Sequence, residues 1–503
     1  MKRFRYLIFL VFYFIVINAD EKGVYFPIKQ YTPSIIPSFE KIKNKIPQPI
    51  LTQDKGFIDL YYFTWELAWK HIKKPPKNSP FVSDFIDEAF NANIFQWDTH
   101  FMILFWRYIY YIFPAINSHN NFYRTQAEDG YICREIQEKD GNYFFYEGKE
   151  NTINPPLFPW VEFEYFKFSD DTSRFSIIYE SLKKYGEWLD KNRVSRINKN
   201  LYWQTNLGSG MDNSPRFGAA WIDMSSQMVL YYEYLEKIAR MLKKEKDAEY
   251  FAQKYKDIAF EINKLMWDDS AGLYFDLDGK NQKTFVPTIA SFWPLLAGIA
   301  DKKQADKLVM NLKDTAQFFR KIPVATLSAK HKFYSSKGNY WRGSVWASTN
   351  YMVIRGLRNY HFEDFLYQLS YRYLKGVYEV FKKTHTLWEN YSPDYYSPGD
   401  IAKPDFVGWT GLVPISILVE DILGIEVDAP ENTITWFINR KDKHGIKNLY
   451  FGGNCVSLIA NERQLEDEIP VIEVKTRSPF WLIIKVKDYS KKYFIQKDTI
   501  IVN

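Results

Sequence analysis

Cysteine is nearly missing. Cys133 and Cys455 are the only two in 503 residues, too few and too far apart for a disulfide framework or the paired spacing of a zinc site. Two buried free thiols are expected instead. The most legible catalytic signatures are absent as well. There is no His-Glu-x-x-His, no Gly-x-x-x-x-Gly-Lys phosphate loop and no Gly-x-Ser-x-Gly elbow. The seven histidines are scattered. His100 beside Asp98 and His385 ahead of Glu389 are expected as hydrogen-bonding neighbours, not ligands. Asp276 to Gly279 opens like a calcium loop but lacks the later ligands, and reads as a hairpin turn. No metal and no cofactor is called for.

A dominant charge is lacking too. The net formal charge is +6, and Lys2, Arg3 and Arg5 supply half of it, which argues against a nucleic-acid or membrane-surface partner. Long apolar runs are missing after the first residues. Lys2 to Arg5 followed by the apolar run Tyr6–Ile17 has the form of a secretory signal over residues 1–19. Twelve apolar residues are short for a bilayer, so the expectation is a secreted or periplasmic protein. An uncleaved N-terminal signal anchor is the one membrane span left open.

What is present is a globular composition: 46% hydrophobic, 25% charged and 18% aromatic residues. Most aromatics belong in cores. Some can line a sugar cleft, since their faces stack on pyranose C–H groups. Residues 20–55, rich in Pro, Lys and Ile, read as an extended lead-in or a short strand pair. Residues 56–427 carry apolar stripes at helical spacing, such as Met224, Met228, Tyr231, Leu235 and Ile238, or Ile178, Leu182, Tyr185 and Leu189. Long loops rich in Gly, Pro, Asn and aromatics separate them. That alternation predicts a mainly α fold of paired helices in a toroid. Trp267 to Asp276 predicts a small hairpin with Gly272 in the turn. Residues 428–503 hold β-branched and aromatic runs bounded by turn residues, expected as a small C-terminal β module.

Two segments carry the chemistry. In Gly208–Arg216, Asp212 stands in a polar loop shortly before a helix. It reads either as a helix cap or as an acid whose pKa burial would raise. Arg216 could orient a carboxylate or serve a substrate hydroxyl. In Leu387–Tyr391, Glu389 lies among aromatics, as an exposed loop residue or as a base. Two such carboxyls are what glycosidic hydrolysis needs. Three further segments fit the same picture: Phe95–Phe101 with Trp97 beside Asp98, the rigid Ile153–Trp160 loop with Asn154, and Tyr340–Trp346 with Arg342 between two tryptophans. Phe406–Gly411 with Trp409 follows.

Together these segments resemble the (α/α)6-barrel inverting glycosidases. Nearest are glycoside hydrolase family 63 and the related mannosylglycerate and glucosylglycerate hydrolases, with the trehalases of family 37 more distant. The resemblance runs from about Phe57 to Ile425. It implies an (α/α)6 barrel with Asp212 as general acid and Glu389 as general base. It implies that Trp97 and Asp98 bind the terminal sugar, that Trp341, Arg342 and Gly343 line the pocket, and that Tyr391 and Trp409 complete it. Asn154 and Arg216 are further candidate substrate contacts. Gly-Met-Asp replaces the trehalase Gly-Trp-Asp, and the trehalase Gln-Trp-Asp-Tyr-Pro-Asn-Gly segment is absent near Trp341, which favours the family 63 side. The expected substrate is an oligosaccharide or small α-glycoside ending in glucose or mannose. The alternatives are a non-catalytic carbohydrate-binding protein, a trehalase, or a phosphorolytic enzyme, the last disfavoured by Glu389.

Overall fold

Two kinds of helix build the molecule, and their composition says where each sits. In the computed structural model, which describes residues 22–88, 91–144 and 153–501, every residue of the Gln96–Trp106 helix is buried, as is every residue of the π-helical Val413–Ile422. A helix with no polar face has to be surrounded by protein. Ser173–Asn192, Glu245–Glu261, Lys302–Lys313 and Glu363–Thr384 bury one face only, as their apolar stripes predict. The polar face of each stays in water.

The buried helices pack in sequence order. Gln96–Trp106 contacts Phe158–Ser169, which contacts Ile222–Met241, and that helix contacts the short Trp293–Leu296. Trp293–Leu296 packs on Ala347–Asn359, which meets the turn Trp409–Leu412, and this turn returns to Gln96–Trp106. The amphipathic helices lie against this closed circuit: Ser173–Asn192 and Glu245–Glu261 on Ile222–Met241, and Lys55–Lys70 and Glu363–Thr384 on Val413–Ile422. Polar bolts join the buried helices. The Arg107 guanidinium donates to Glu164 at 2.9 Å and to Glu420 at 2.6 Å, and the Tyr108 and Tyr351 hydroxyls also donate to Glu420. Burying a charge is costly unless it is paired in this way.

From Ile425 onward the chain is β. One sheet has the order Ile425–Asp428, Thr433–Phe437, Phe480–Val486, Tyr489–Ile495, with its middle pair parallel. The other has five strands, of which His444–Phe451, Asn454–Ala460, Ile472–Thr476 and Thr499–Ile501 come from this region. Burial alternates strictly along Asn454–Ala460 and Phe480–Val486, so each presents one face to a core.

Some expectations need correction. Among the described residues, the strand in the lead-in, Gln48–Leu51, has no partner inside that segment. It pairs antiparallel with His444–Phe451 and forms the edge of the five-stranded sheet. Asp212 is not a helix cap, because the next helix starts only at Ile222 with Trp221 at its N-cap. The hairpin at Trp267–Tyr274 forms as expected, with Gly272 at φ +63°, and neither cysteine is in a disulfide, Cys133 being buried as expected but Cys455 only half-buried. The apolar run at residues 6–17 lies outside the described residues. Among those described, no helix is long and apolar enough to cross a membrane.

Candidate active site

One end of the helical circuit holds a cavity of about 70 Å³. It is lined by Phe95, Trp97, Asp98, Arg134, Asn154, Gly210, Asp212, Tyr340, Trp341, Trp346, Glu389 and Trp409. Seven of these are residues to which the sequence assigned the site.

Trp97 and Asp98 occupy the first turn of the Gln96–Trp106 helix, whose start is fixed from outside. The strand Asn93–Phe95 pairs with Glu135–Gln137, and the Gln96 side-chain amide donates to the carbonyls of Ile132 and Cys133 at 2.9 and 2.8 Å. The same pairing delivers Arg134 to the cavity. Opposite, Gly210 has φ +72°, and a Cβ there would lie 3.3 Å from the Trp97 indole. A glycine therefore serves both the left-handed backbone and the close approach of the Asp212 loop to Trp97.

Glu389 is held from three directions. Its backbone N–H donates to Lys403 O at 2.9 Å, Lys403 N–H returns a bond to Oε2 at 3.1 Å, and the Tyr340 hydroxyl donates to Oε1 at 3.1 Å. The Trp409 indole N–H donates to the Glu389 carbonyl at 2.8 Å. Trp341 and Trp346 stack with centroids 4.0 Å apart, and Trp346 leans on Trp409 at 5.4 Å, forming one aromatic wall.

The cavity is acidic. Burial raises the Asp98 carboxyl pKa well above its usual range, and the nearby Glu389 raises it further. Burial also pushes Glu389 up to about 7, against the pull of its hydrogen bonds from Lys403 and Tyr340. Asp212 is exposed at the cavity, yet protein crowds it enough that lost solvation raises its pKa, while Arg134 pulls the other way. Among the described residues, no hydrogen bond joins Asp212 to Glu389. Trp97 Nε1, Asp98 Oδ1 and Asn154 Oδ1 are buried and have no hydrogen-bond partner among the described residues. An unmet buried polar atom costs about 1–3 kcal/mol, so three of them around one cavity mark where a hydroxyl-rich ligand would be held.

Four assigned residues do not line this cavity. Arg216 is fully engaged elsewhere, with bonds of 2.6 and 2.8 Å to Asp223 and of 2.9 and 2.8 Å to Asp276, and it stacks on Trp221. Arg342 turns away, donating from Nε to Asn213 O at 3.0 Å and lying over Phe333. Gly343, at φ +144°, packs so closely on Ser335 that a Cβ added to it would lie 2.6 Å from the Ser335 carbonyl oxygen. Tyr391 is buried in a backbone bridge to Val345, and its hydroxyl accepts from Trp388 N–H. These four brace the loops. Phe95, Arg134, Gly210, Tyr340 and Trp346 were missed. Gly210, Tyr340 and Trp346 stood inside the recognised segments, whereas Arg134 carries no local signal. His100 is bound to His119 at 3.0 Å and His385 is an exposed residue ending a helix, so neither lines the cavity.

The model of the mannosylglycerate hydrolase MGH1-like glycoside hydrolase domain matches residues 92–399, a span that contains both Asp212 and Glu389. This chain belongs to that family of glycoside hydrolases. An uncharacterized protein of Borreliella burgdorferi is 25% identical over 400 residues, 76% of this hydrolase and 81% of that protein. The mannosyl-oligosaccharide glucosidase of Saccharomyces cerevisiae is 26% identical over 269 residues, 46% of this hydrolase but only 31% of the yeast protein. Among solved structures, the mannosylglycerate hydrolase of Thermus thermophilus in complex with glucose superposes with a TM-score of 0.58 at 19% identity, over 70% of this hydrolase and 98% of that one.

Proposed function

We propose that this glycoside hydrolase removes a terminal α-glucosyl or α-mannosyl residue with inversion, using Asp212 as general acid and Glu389 as general base. The observation that carries the reading is that these two carboxyls, from distant loops, share one cavity with an aromatic wall and unmet polar atoms. Burial raises both carboxyls, Glu389 to about 7. Both oxygens of Glu389 accept hydrogen bonds, which pull it back toward the ionised form a base needs. Asp212 faces the cavity with a raised pKa, which favours the protonated form an acid needs.

In this scheme the terminal ring packs on Trp97, Trp341 and Trp409, and its hydroxyls meet Trp97 Nε1, Asp98 and Asn154. Asp212 gives its proton to the glycosidic oxygen as the bond from that oxygen to the anomeric carbon breaks. A water on the opposite face forms the new bond to that carbon and passes a proton to Glu389. The ionised Glu389 stabilises the positive charge that develops on the ring. Inversion requires the two carboxyls to stand roughly 6.5–9.5 Å apart. The closed circuit of helices supports reading the fold as an (α/α)6 barrel. The names of the Thermus and yeast relatives point to mannosyl and glucosyl groups. We read residues 1–19 as an export signal, which N-terminal sequencing of the protein recovered outside the cytoplasm would test.

The experiment is hydrolysis of a panel of α-glucosides and α-mannosides, trehalose included, with NMR detection of the first-formed anomer. Asp212→Asn and Glu389→Gln should each lower kcat by about 10²–10⁴-fold, the usual worth of a general acid or base, with unfolding unchanged. A retained anomer, or full activity in either variant, would overturn the assignment.

A further inference from the structure

Between the two carboxyls runs a strained loop. Asn339 and Tyr340 are consecutive non-glycine residues in the left-handed region, at φ +41° and +62°, flanked by Gly338 at +113° and Gly343 at +144°. Such backbone is held only where the surroundings over-determine it, and it collects at functional sites. Here the surroundings are visible. The Asn213 side-chain oxygen accepts from Trp341 N–H at 2.8 Å, its amide donates to Asn339 O at 2.9 Å, and its own backbone carbonyl accepts from Arg342 Nε at 3.0 Å. Asn213 directly follows Asp212. The Tyr340 carbonyl accepts from Trp346 Nε1 at 3.3 Å, and its ring stands edge-on to Trp346 at 4.9 Å. With backbone and ring both fixed, the hydroxyl meets Glu389 Oε1.

We propose that Tyr340 is a positioning residue for Glu389, and that Asn213 is the strut tying it to the Asp212 loop, so that one hydrogen-bonded path sets both the separation of the carboxyls and the orientation and charge of the base. This rests on the roles given above to Asp212 and Glu389. Burial, then Glu389 and Asp212, hold the Tyr340 phenol pKa far above its usual value, so it remains a donor at any working pH. The groups facing Glu389 are Tyr340, Lys403, Asp212 and Asp98. Of these, Tyr340 is the one whose side chain donates to it, and Lys403 contributes its backbone N–H and its charge. A hydrogen bond to a carboxylate favours the ionised form. Losing it makes the base harder to ionise.

The test is the pH profile of kcat/KM for Tyr340→Phe, which deletes one oxygen and keeps the ring against Trp346. The acidic limb should move up by about one pH unit, the scale of one hydrogen bond to a charged group. The rate at pH 6 should fall by about tenfold while the rate at pH 8.5 stays within about threefold. An unmoved limb with a uniform loss would overturn the proposal, since a merely structural tyrosine would act that way. Asn213→Ala provides a check that does not depend on Tyr340→Phe folding well. It should lower kcat by about tenfold with KM little changed, and the double variant should lose no more than the worse single one. Losses that multiply would refute the strut. Glu389→Gln separates the two levels. If that variant retains activity, the base assignment has failed; if it is inactive and the Tyr340→Phe limb is unmoved, only the positioning role has.

Discussion

Arg216→Met separates a brace from a substrate contact. In the parent, the Arg216 guanidinium is buried and makes four bonds to Asp223 and Asp276. Removing the cation leaves two buried carboxyls without their counter-charge, and breaking one side of a buried ion pair costs about 3–5 kcal/mol. At about 2.1 cal/mol/K per residue, a chain of 503 residues unfolding as one unit has an entropy near 1 kcal/mol/K, so Tm should fall by only about 3–5 °C. A urea titration, which reads the free energy directly, is the better assay. The loss should depend on pH. Burial already raises the Asp276 carboxyl, even with Arg216 beside it, and the variant would raise it further. A carboxyl whose folded pKa lies above its unfolded value favours folding at low pH, and that contribution disappears as pH rises through the folded pKa. The variant should therefore stand closest to the parent near pH 5 and furthest from it near pH 8. An unchanged urea midpoint together with a tenfold higher KM would refute the brace and return Arg216 to the substrate.

Two further outcomes are expected. With Glu389 raised to about 7, kcat/KM should fall tenfold per unit as pH drops below about 7, because the base must be ionised; a profile flat to pH 5 would exclude Glu389 as that base. Gly210→Ala places a Cβ against the Trp97 indole at a positive φ, so the variant should lose about 1–2 kcal/mol of stability in a urea titration, and kcat/KM should drop as Trp97 is displaced from the cavity wall. Parent-like kinetics would show that the contact does not matter.

The sequence made the site legible where chemistry is local. Asp212, Glu389, the Trp97–Asp98 pair and Asn154 were readable because each stands in a short segment whose neighbours are themselves informative. Arg134 was not readable, since it reaches the cavity through the pairing of Asn93–Phe95 with Glu135–Gln137, and strand register between distant residues is not encoded locally. Arg342 and Gly343 were misplaced because the positive φ angles at Asn339, Tyr340 and Gly343 redirect side chains in a way that residue spacing cannot reveal. Arg216 does hold carboxylates, one of its two readings, but its position outside the cavity was not readable because its two acidic partners lie outside its own segment, with Asp276 in the neighbourhood read as a turn. The helical part was legible from apolar stripes at helical spacing. The strand Gln48–Leu51 was seen as extended chain, but its partner lay too far along the sequence to be guessed.

That strand has a consequence for biogenesis. Its hydrogen-bonding partner His444–Phe451 is synthesised roughly four hundred residues later, which at about 5–20 residues per second is a wait of some 20–80 s. Until then the strand is unpaired on both edges, with the peptide groups of a nascent chain available to any other strand. The five-stranded sheet is thus completed by a clasp between residues 48–51 and 444–447, segments that the ribosome delivers far apart in time.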